Sequence, residues 1–436
     1  LHYSNAPAKD FKFSRSNPTK RNSAIYAGSF YFALPNDFAI DVTPTFNYSH
    51  INDHLLYTAG GNSSIVRNAR ENAYNYRVNA YIRKQAGQKH SFMAGINGGD
   101  IINHLRYTGT QDYSDKFSLA FAAGIIGYNY RSRNLSLSMD AGVCWEGSDI
   151  NREKQNDVYP WTHINLQYTL SPRHLFSTYF QFASNSPTIS QKASDILRDN
   201  EYMLITGNPQ LENSRHVTLN LAYTWLQSNK FSMSAYGEYY GLFDRLISEY
   251  SPFDNGQAIL RGYTNNGSYN RFKIGLGARL QLLDGKLELY ASPEQYFYKS
   301  TGIYNRSYNP CSVFAQATFY AGNFYFQAYY MSPEKSMWYD SGSIHRVRNH
   351  HSLMAGWADS NWNVRLSAND VCNRGWVGAT TALESQYYSE LRTNLGTSAR
   401  PRINLTATYT INYGRKVQRA NEIGEQSGAA SAILKY

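Results

Sequence analysis

Apolar and polar residues alternate along much of this chain with a period of two. Successive side chains of a β-strand point to opposite faces, so the alternation predicts strands with one apolar and one polar face. It is unbroken in RINLTATYTINYG (402–414), and it recurs at 38–48, 134–143, 163–170, 216–225, 323–331 and 361–370. Helical periodicity is nearly absent, and the best short helix candidate is 189–200. The sequence therefore predicts an all-β fold of about 18 strands.

The connections between these strands alternate between short and long. Short connections, rich in turn-forming residues, are predicted at 35–37, 86–89, 131–133, 171–173, 228–229, 284–285, 322–323 and 359–360. Long connections are predicted at 51–72, 106–113, 147–158, 184–213, 245–261, 300–307, 333–347 and 373–401. An up-and-down outer-membrane barrel shows this alternation because its periplasmic turns are short and its extracellular loops are long. The sequence thus favours a transmembrane, antiparallel β-barrel over a soluble sandwich.

Composition is compatible with such a wall. The 436 residues include 38 Tyr and carry a formal net charge of +10, and the mean hydropathy is −0.54. No run approaches the roughly 18 apolar residues of a membrane helix. Trp residues near strand ends predict interfacial girdles; these are Trp145, Trp161, Trp225, Trp338 and Trp376. Scattered Arg residues are better explained by lumen lining or by contacts to lipopolysaccharide than by binding nucleic acid.

Cysteine chemistry is not expected, because the three cysteines are far apart and in no CxxC spacing. The segment GLGARL (275–280) contains a partial GxG but lies inside a strand pattern, so it does not predict a nucleotide site. No cofactor is predicted. The carboxylates of the 184–213 connection are accompanied by no nucleophile or oxyanion hole, so the chain is not expected to be an enzyme; they are Asp195, Asp199, Glu201 and Glu212.

Three short segments carry a resemblance to a known family. The first is GNPQL, with Gly207, Asn208, Pro209 and Leu211 just before a strand. The second is LSANDVCNRG (366–375), and the third is a final strand with aromatic Tyr409 and Tyr413. Together they resemble the β-barrel portion of the TonB-dependent outer-membrane receptors of Bacteroidetes, in which 22 strands surround an N-terminal plug.

The resemblance implies a division of the chain and a set of partners. Residues 1–413 are expected to form the C-terminal portion of the barrel, without the plug and the first strands, and residues 414–436 a periplasmic tail. The family implies an integral outer-membrane location, contact with lipid and lipopolysaccharide, coupling to the TonB complex through a plug absent from this chain, and uptake of a small nutrient. That ligand could be a siderophore, a glycan or a peptide.

Two alternatives to this interpretation stay open on the sequence. A smaller closed barrel could act as a passive porin-like or structural protein. A soluble all-β carbohydrate-binding module is the other, since the period of two does not identify the environment of the apolar face.

Candidate ligand-binding residues lie in two of the long connections. HRVRNHH (345–351) places His345, His350 and His351 beside Arg346 and Arg348. Imidazoles coordinate transition metals and Arg pairs with carboxylate or phosphate, which would suit metal or anion capture. The spacing matches no closed metal motif, so the sequence favours a solvated loop that runs into a strand.

The second candidate segment is aromatic and rich in amides, SEYSPFDNGQAILRGYTNNG (248–267). Its candidate ligand contacts are Tyr250, Asp254 and Tyr263. An ordinary surface hairpin explains the same pattern and is favoured.

The alternation of apolar and polar residues in 402–414 can be tested by mutation. Leu405→Arg should destabilise the barrel by about 2–4 kcal/mol near the bilayer midplane, whereas Thr406→Arg should be tolerated on a wet lumen face. The fraction of folded barrel can be measured by heat-modifiable gel mobility. Equal losses for both variants would instead indicate a dry core on both faces.

Overall fold

The computed structural model describes residues 13–59, 64–109, 112–150, 153–200, 202–375, 377–395 and 400–411. Most of these residues are extended, which confirms the all-β prediction. The one α-helix, in the described residues, is α1 (Ile189–Lys192), and short 3₁₀ turns occur at Leu283–Gly285 and Gly302–Tyr304. No helix in the described ranges has the length and apolar character needed to cross a membrane.

The strands, in chain order, have the following bounds: β1 Phe13–Ser16, β2 Thr19–Ala27, β3 Phe30–Leu34, β4 Phe38–Ala59, β5 Ser64–Ala86, β6 His90–Gly109, β7 Tyr113–Arg131, β8 Leu135–Ile150, β9 Glu153–Ser171, β10 His174–Asn185, β11 Leu197–Arg198, β12 Met203–Ile205, β13 Ser214–Ser228, β14 Phe231–Phe243, β15 Leu246–Phe253, β16 Ala258–Asn265, β17 Tyr269–Leu282, β18 Leu287–Ser300, β19 Arg306–Tyr308, β20 Cys311–Ala321, β21 Phe324–Met331, β22 Glu334–Met337, β23 Ile344–Val347, β24 His350–Ala358, β25 Trp362–Asn369, β26 Val377–Glu384, β27 Ser389–Leu395 and β28 Arg402–Tyr409.

One 20-stranded antiparallel sheet forms a barrel-type wall. Strands β1, β2 and β3 follow one another along β4, and β19 and β20 share one edge of β18. The 20 strands therefore occupy 17 positions around the wall, because β1 to β3 share one position and β19 and β20 share another. This number is close to the predicted 18 strands. Within the described ranges, no ladder joins β28 to β1, β2 or β3.

From β4 onward, each position in the wall pairs with the next position along the chain, so the up-and-down topology is confirmed. We call the end of the wall that carries the long connections the mouth, and the opposite end the turn end. Tight turns at the turn end join, for example, β13 to β14 and β20 to β21.

The two faces of the wall differ as the alternation predicts. Directly opposed residues of an antiparallel pair share a face. On the outer face, Ile96 opposes Gly124 and is 65% exposed, and Ile126 is 66% exposed. In β28, Leu405 opposes Leu366 of β25, while Thr406 opposes Arg365 on the other face. The apolar row of 402–409 therefore continues the outer face; Tyr413 lies outside the described residues.

The bounds of three predicted long connections are wrong, because wall strands occupy most of the described residues in these ranges. Residues 51–59 and 64–72 belong to β4 and β5, which have 22 and 23 residues, and β6 to β9 run through most of 106–113 and 147–158. These lengths exceed the 9–11 residues that a membrane strand needs. The extensions are stable because their inner faces are apolar near the mouth: Ile51, Leu105, Tyr107, Phe117 and Ile150 are at most 2% exposed.

The connection between β10 and β13 covers this apolar inner face. We call residues 186–213 the insert. Its residues Ile189, Ala193 and Leu197 pack into the same cluster as Phe117 and Ile150. The helix predicted over 189–200 ends at Lys192, because the following residues extend to make these contacts and to form β11.

Polar contacts also fix the insert to the wall. The buried Lys192 ammonium donates to Gln155 Oε1 at 2.7 Å and to Ser148 Oγ at 3.3 Å. Burial lowers the pKa of Lys192 below its usual value, partly opposed by the negative charges of Glu146 and Asp157.

Two small four-stranded sheets lie at the mouth, β11–β12–β16–β15 and β22–β23–β26–β27. They pack on each other through one apolar cluster and form what we call the lid. The cluster contains Ile247, Tyr250, Ile259, Tyr304 and Leu383. The long connections 245–261, 333–347 and 373–401 are thus largely folded as sheet.

The GNPQL motif, near the end of the insert, binds the start of the insert and also contacts β16 of the lid. Gly207 N donates to Ala193 O and Asn208 N donates to Gln191 O, both at 2.7 Å. Asn208 Nδ2 donates to Tyr263 O at 3.1 Å, and Leu211 is 1% exposed. A Cβ at position 207 would lie 2.3 Å from Ala193 O, so the close approach of these backbones requires glycine there.

Gly207→Ala should therefore loosen the insert without unfolding the wall. Steric strain of this kind costs about 1–3 kcal/mol, and hydrogen exchange of residues 189–197 should become faster. Gly262→Ala on β16 is the matched control, since its Cβ would meet only Thr206 Cγ2 at 3.8 Å. Unchanged hydrogen exchange in Gly207→Ala would contradict the requirement for glycine at this position.

Candidate functional site

A network of charged side chains lines the inner face of β14, β17 and β18. Lys273 Nζ lies 3.3 Å from Glu238 and 3.9 Å from Glu294, and Arg271 forms an ion pair with Glu238. The hydroxyls of Tyr236 and Tyr296 each donate to Glu294 at 2.6 Å. Strand alternation places these groups on one face, and the opposite charges compensate one another inside the wall.

Tyrosine rings continue this inner face toward the mouth. Tyr296 and Tyr298 are nearly parallel, with an interplanar angle of 2° and centroids 5.8 Å apart. Tyr269 lies 6.2 Å from Tyr298, and its hydroxyl donates to Met337 O at 2.9 Å. The last contact fixes the connection between β21 and β24 over the tyrosines.

Between these tyrosines and that connection lies a cavity of about 450 Å³. The wall contributes Tyr269, Arg271, Tyr296 and Tyr298, and the connection contributes Glu334, Lys335, Trp338, Tyr339 and Asp340. Glu334 and Lys335 are exposed and have no ion-pair partner among the described residues. The cavity therefore offers flat aromatic faces together with both signs of charge, a combination that binds small polar molecules.

A buried arginine holds the connections around the cavity in place. Arg245 is 0% exposed. Its Nη1 donates to Tyr339 O and its Nη2 to Thr301 O, both at 2.9 Å, and its Nε donates to Asn266 O at 3.3 Å. Burial lowers the pKa of Arg245, partly opposed by Tyr304 and Asp340. One guanidinium thus joins three separate connections at the mouth.

Solved structures share this architecture. The copper transporter OprC matches with a TM-score of 0.57 at 9% identity, over 92% of this chain and 76% of that one. The ferric citrate transporter FecA matches with a TM-score of 0.59 at 9% identity, over 90% and 62%. The FrpB iron transporter from Neisseria meningitidis matches with a TM-score of 0.53 at 10% identity, over 89% and 72%.

The chain has the fold of these transporter barrels. No protein-family model and no curated protein sequence matches it. At these identities the likeness establishes the fold alone.

The predicted histidines fall into two places. His345 lies on β23, where its ring stacks on Trp338 of the cavity at 5.1 Å and its Nδ1 lies 2.9 Å from Thr381 Oγ1. Arg346, next to it, is exposed on the same strand. His345 thus packs against Trp338, which lines the cavity, but does not line the cavity itself.

His350 and His351 instead meet the buried Asp370 at the end of β25. His350 Nδ1 lies 2.8 Å from both oxygens of Asp370, and its Nε2 lies 2.7 Å from the Tyr329 hydroxyl. His351 N donates to Asp370 Oδ1 at 3.1 Å. Arg348 contacts Val377 O. Across the described ranges, no group of three or more His, Cys, Asp or Glu side chains is placed to hold a metal ion.

The three candidates of the 248–267 segment are also separated. Tyr250 is 9% exposed and stacks on Tyr388 at 4.8 Å in the core of the lid. Asp254 lies at the exposed tip of the β15–β16 hairpin. Tyr263 lies on β16 beneath the guanidinium of Arg261. None of them lines the cavity between the tyrosines and the β21–β24 connection.

Other residues singled out in the sequence make packing contacts or hydrogen bonds within the fold. Tyr409 ends β28 and packs on Trp362 at 4.8 Å, and Asn373 Nδ2 closes the LSANDVCNRG segment on Asn349 O at 3.0 Å. Asp195 accepts a hydrogen bond from Tyr113, and burial raises its pKa. Glu201 and Trp376 lie outside the described residues.

The residues that line the cavity were missed in the sequence. One signal was present: YASPEQYFYKS (290–300) places Glu294, Tyr296 and Tyr298 at alternate positions of one strand. A carboxylate two positions from an aromatic residue, on the same face of a predicted membrane strand, indicates an inner surface with a functional role. The partner residues 334–340 could not be found this way, because their approach depends on the folded connection.

Arg245→Lys tests the role of the buried arginine. Lysine keeps the charge but cannot donate to three carbonyls from fixed planar positions, so stability should fall by about 2–4 kcal/mol. Hydrogen exchange of residues 337–343 should become faster. Arg374→Lys, at an exposed position, should leave both unchanged. Equal effects in the two variants would contradict the assigned role.

Proposed function

We propose that this chain forms the wall and the ligand-binding mouth of an outer-membrane receptor that takes up a small polar nutrient. The observation that carries the proposal is the cavity of about 450 Å³, which opens on the inner face of a barrel-type wall near its mouth. The fold shared with metal and ferric-chelate transporters supports the same conclusion. The outer face, rich in exposed Ile, Leu, Val and Phe, supports an integral membrane location.

Uptake through such a barrel needs an energy source and a ligand site. The barrel is coupled to the TonB complex through a plug, as the resemblance of GNPQL and LSANDVCNRG implies, and the complete barrel has 22 strands. Ligand is bound at the mouth by the tyrosines and by Lys335 and Glu334, then passes along the polar inner face. Siderophores, glycans and peptides all have groups that suit aromatic rings and charged side chains.

A passive pore is the second candidate, and the insert favours it. A connection folded inside the mouth narrows the lumen as a constriction would, and it needs no energy source to do so. Conductance in planar bilayers separates the two, because an open pore gives steady ion current without ligand.

Ligand binding by the purified full chain in detergent tests the proposed receptor. The probes are ferric citrate, a Cu²⁺ salt, maltotriose and trialanine, each titrated by calorimetry. Trp338→Ala and Lys335→Ala should each weaken binding of the active probe at least tenfold, which corresponds to about 1.4 kcal/mol.

The matched control is Trp362→Ala, which removes a 44% exposed tryptophan from the wall outside the cavity. It should leave the affinity unchanged. Undiminished binding in both cavity variants would place the site elsewhere, and recovery of the protein in the soluble fraction without detergent would overturn the membrane location.

A further inference from the structure

The strand β22, which lines the cavity, has one backbone edge without a neighbouring strand. β22 pairs with β23, with Glu334 opposite Val347 and Met337 opposite Ile344. It is the end strand of the sheet β22–β23–β26–β27, and no second ladder to β22 occurs among the described residues. We call this unpaired side of β22 the open edge.

The pairing register shows which backbone groups lie on the open edge. Successive residues of a strand direct their N–H and C=O groups to opposite edges. Trp338 N donates to Ser343 O at 2.9 Å, in register with the β22–β23 ladder. Trp338, and every second residue before it on β22, therefore directs its backbone groups to β23. Lys335 and Met337 direct theirs to the open edge.

The open edge borders the cavity. Residues 334–340 all line the cavity, whereas no residue of β23 does. The Met337 carbonyl on the open edge accepts the hydrogen bond of the Tyr269 hydroxyl at 2.9 Å, and Tyr269 lines the cavity from the wall. The remaining groups of this edge have no partner among the described residues. They are the N–H and C=O of Lys335 and the N–H of Met337.

An extended peptide carries the complementary groups. Its N–H and C=O groups alternate between its two sides, with a rise of about 3.3 Å per residue, as in the strand that it meets. Such a peptide can add to an exposed edge as a further strand. A glycan instead presents freely rotating hydroxyls without this fixed alternation. The open edge thus discriminates among the ligand classes that suit the aromatic faces of the cavity.

The other walls of the cavity suit the two ends of a short peptide. Arg271 and Asp340 line the cavity and carry charges opposite to those of a peptide carboxylate and a peptide ammonium. The parallel rings of Tyr296 and Tyr298 offer faces for apolar side chains. The volume of about 450 Å³ is that of a small-molecule site, so the peptide is short.

We propose that the cavity binds a short peptide in extended conformation, as a strand added to the open edge of β22 through the N–H and C=O of Lys335. The inference rests on the proposed receptor function and names its ligand class. Main-chain hydrogen bonds supply the affinity in this mode of binding, so the site accepts peptides of different sequence.

Calorimetry with methylated peptides, on the purified full chain in detergent, tests the proposal. Trialanine should bind. Its two amide N–H groups face opposite sides of the extended peptide, so only one of them can meet β22. N-methylation of that amide should lower the affinity at least tenfold, and N-methylation of the other should leave it unchanged. Equal affinities of the two methylated peptides would overturn strand addition.

Lys335→Pro tests the same contact from the side of the protein. Proline removes the Lys335 N–H, which lies on the open edge and takes no part in the ladder with β23, so β22 should persist. Trialanine should bind at least tenfold more weakly to Lys335→Pro than to Lys335→Ala, which also lacks the ammonium but keeps the N–H. Equal affinities of these two variants would contradict a role for the backbone.

The matched control is Thr393→Pro on β27, the other end strand of the same sheet. Ser385 N donates to Tyr388 O, so Tyr388 and every second residue after it direct their backbone groups to β26, and Thr393 directs its N–H to the unpaired side of β27. Thr393 does not line the cavity. Thr393→Pro should bind trialanine like the wild type, and an equal loss in both proline variants would overturn the proposal.

These outcomes are separable from those of the proposed receptor. Binding of maltotriose or ferric citrate without binding of trialanine would overturn strand addition and leave the receptor standing. Failure of all four probes to bind, or recovery of the protein in the soluble fraction without detergent, would overturn the receptor and with it the peptide site.

Discussion

The antiparallel ladder is the constraint on which the rest of this structure depends. Each strand satisfies its backbone hydrogen bonds through its two neighbours, and directly opposed residues must then share a face. A slip of one residue at any pair would invert the faces of every strand beyond it. The continuous register from β4 to β28 thus keeps Ile96, Leu221 and Leu405 on the outer face, and Asp140, Glu238 and Arg365 on the inner one.

The same register explains how the mouth is built. The wall strands are longer than the 9–11 residues of a membrane strand, and the apolar inner faces of their mouth ends need an internal core. Ile51, Phe117 and Ile150 supply one half of it and the insert supplies the other. The insert is fixed in turn by Gly207, whose lack of a side chain lets two backbones meet. Also at the mouth, Arg245 joins three connections and holds Tyr339 at the cavity. The mouth is therefore a packed structure in its own right.

A barrel of this kind gives its two faces separate chemical tasks. The inner face combines compensated charges with tyrosine rings, and the connection above it adds Glu334, Lys335 and Trp338. The outer face is apolar but not flat, because small residues on β14 lie between bulky rows on β13 and β17. Alternation along a single strand thus places Glu238 in the charged network of the inner face and Gly237 among the apolar residues of the outer face.

The sequence by itself determined the strands, their faces, the turn positions and the barrel topology, because a period of two is a local property that the pleat converts directly into orientation. It could not separate strand from loop at 51–72, since inward Ile51 and Ala69 acquire their partners only when the insert folds against them. It also grouped His345 with His350 and His351, although the backbone sends His345 to the lid and the other two to Asp370. The cavity and the three hydrogen bonds of Arg245 were decided by tertiary structure alone, because both are made by residues far apart in the chain whose approach depends on the register of the wall.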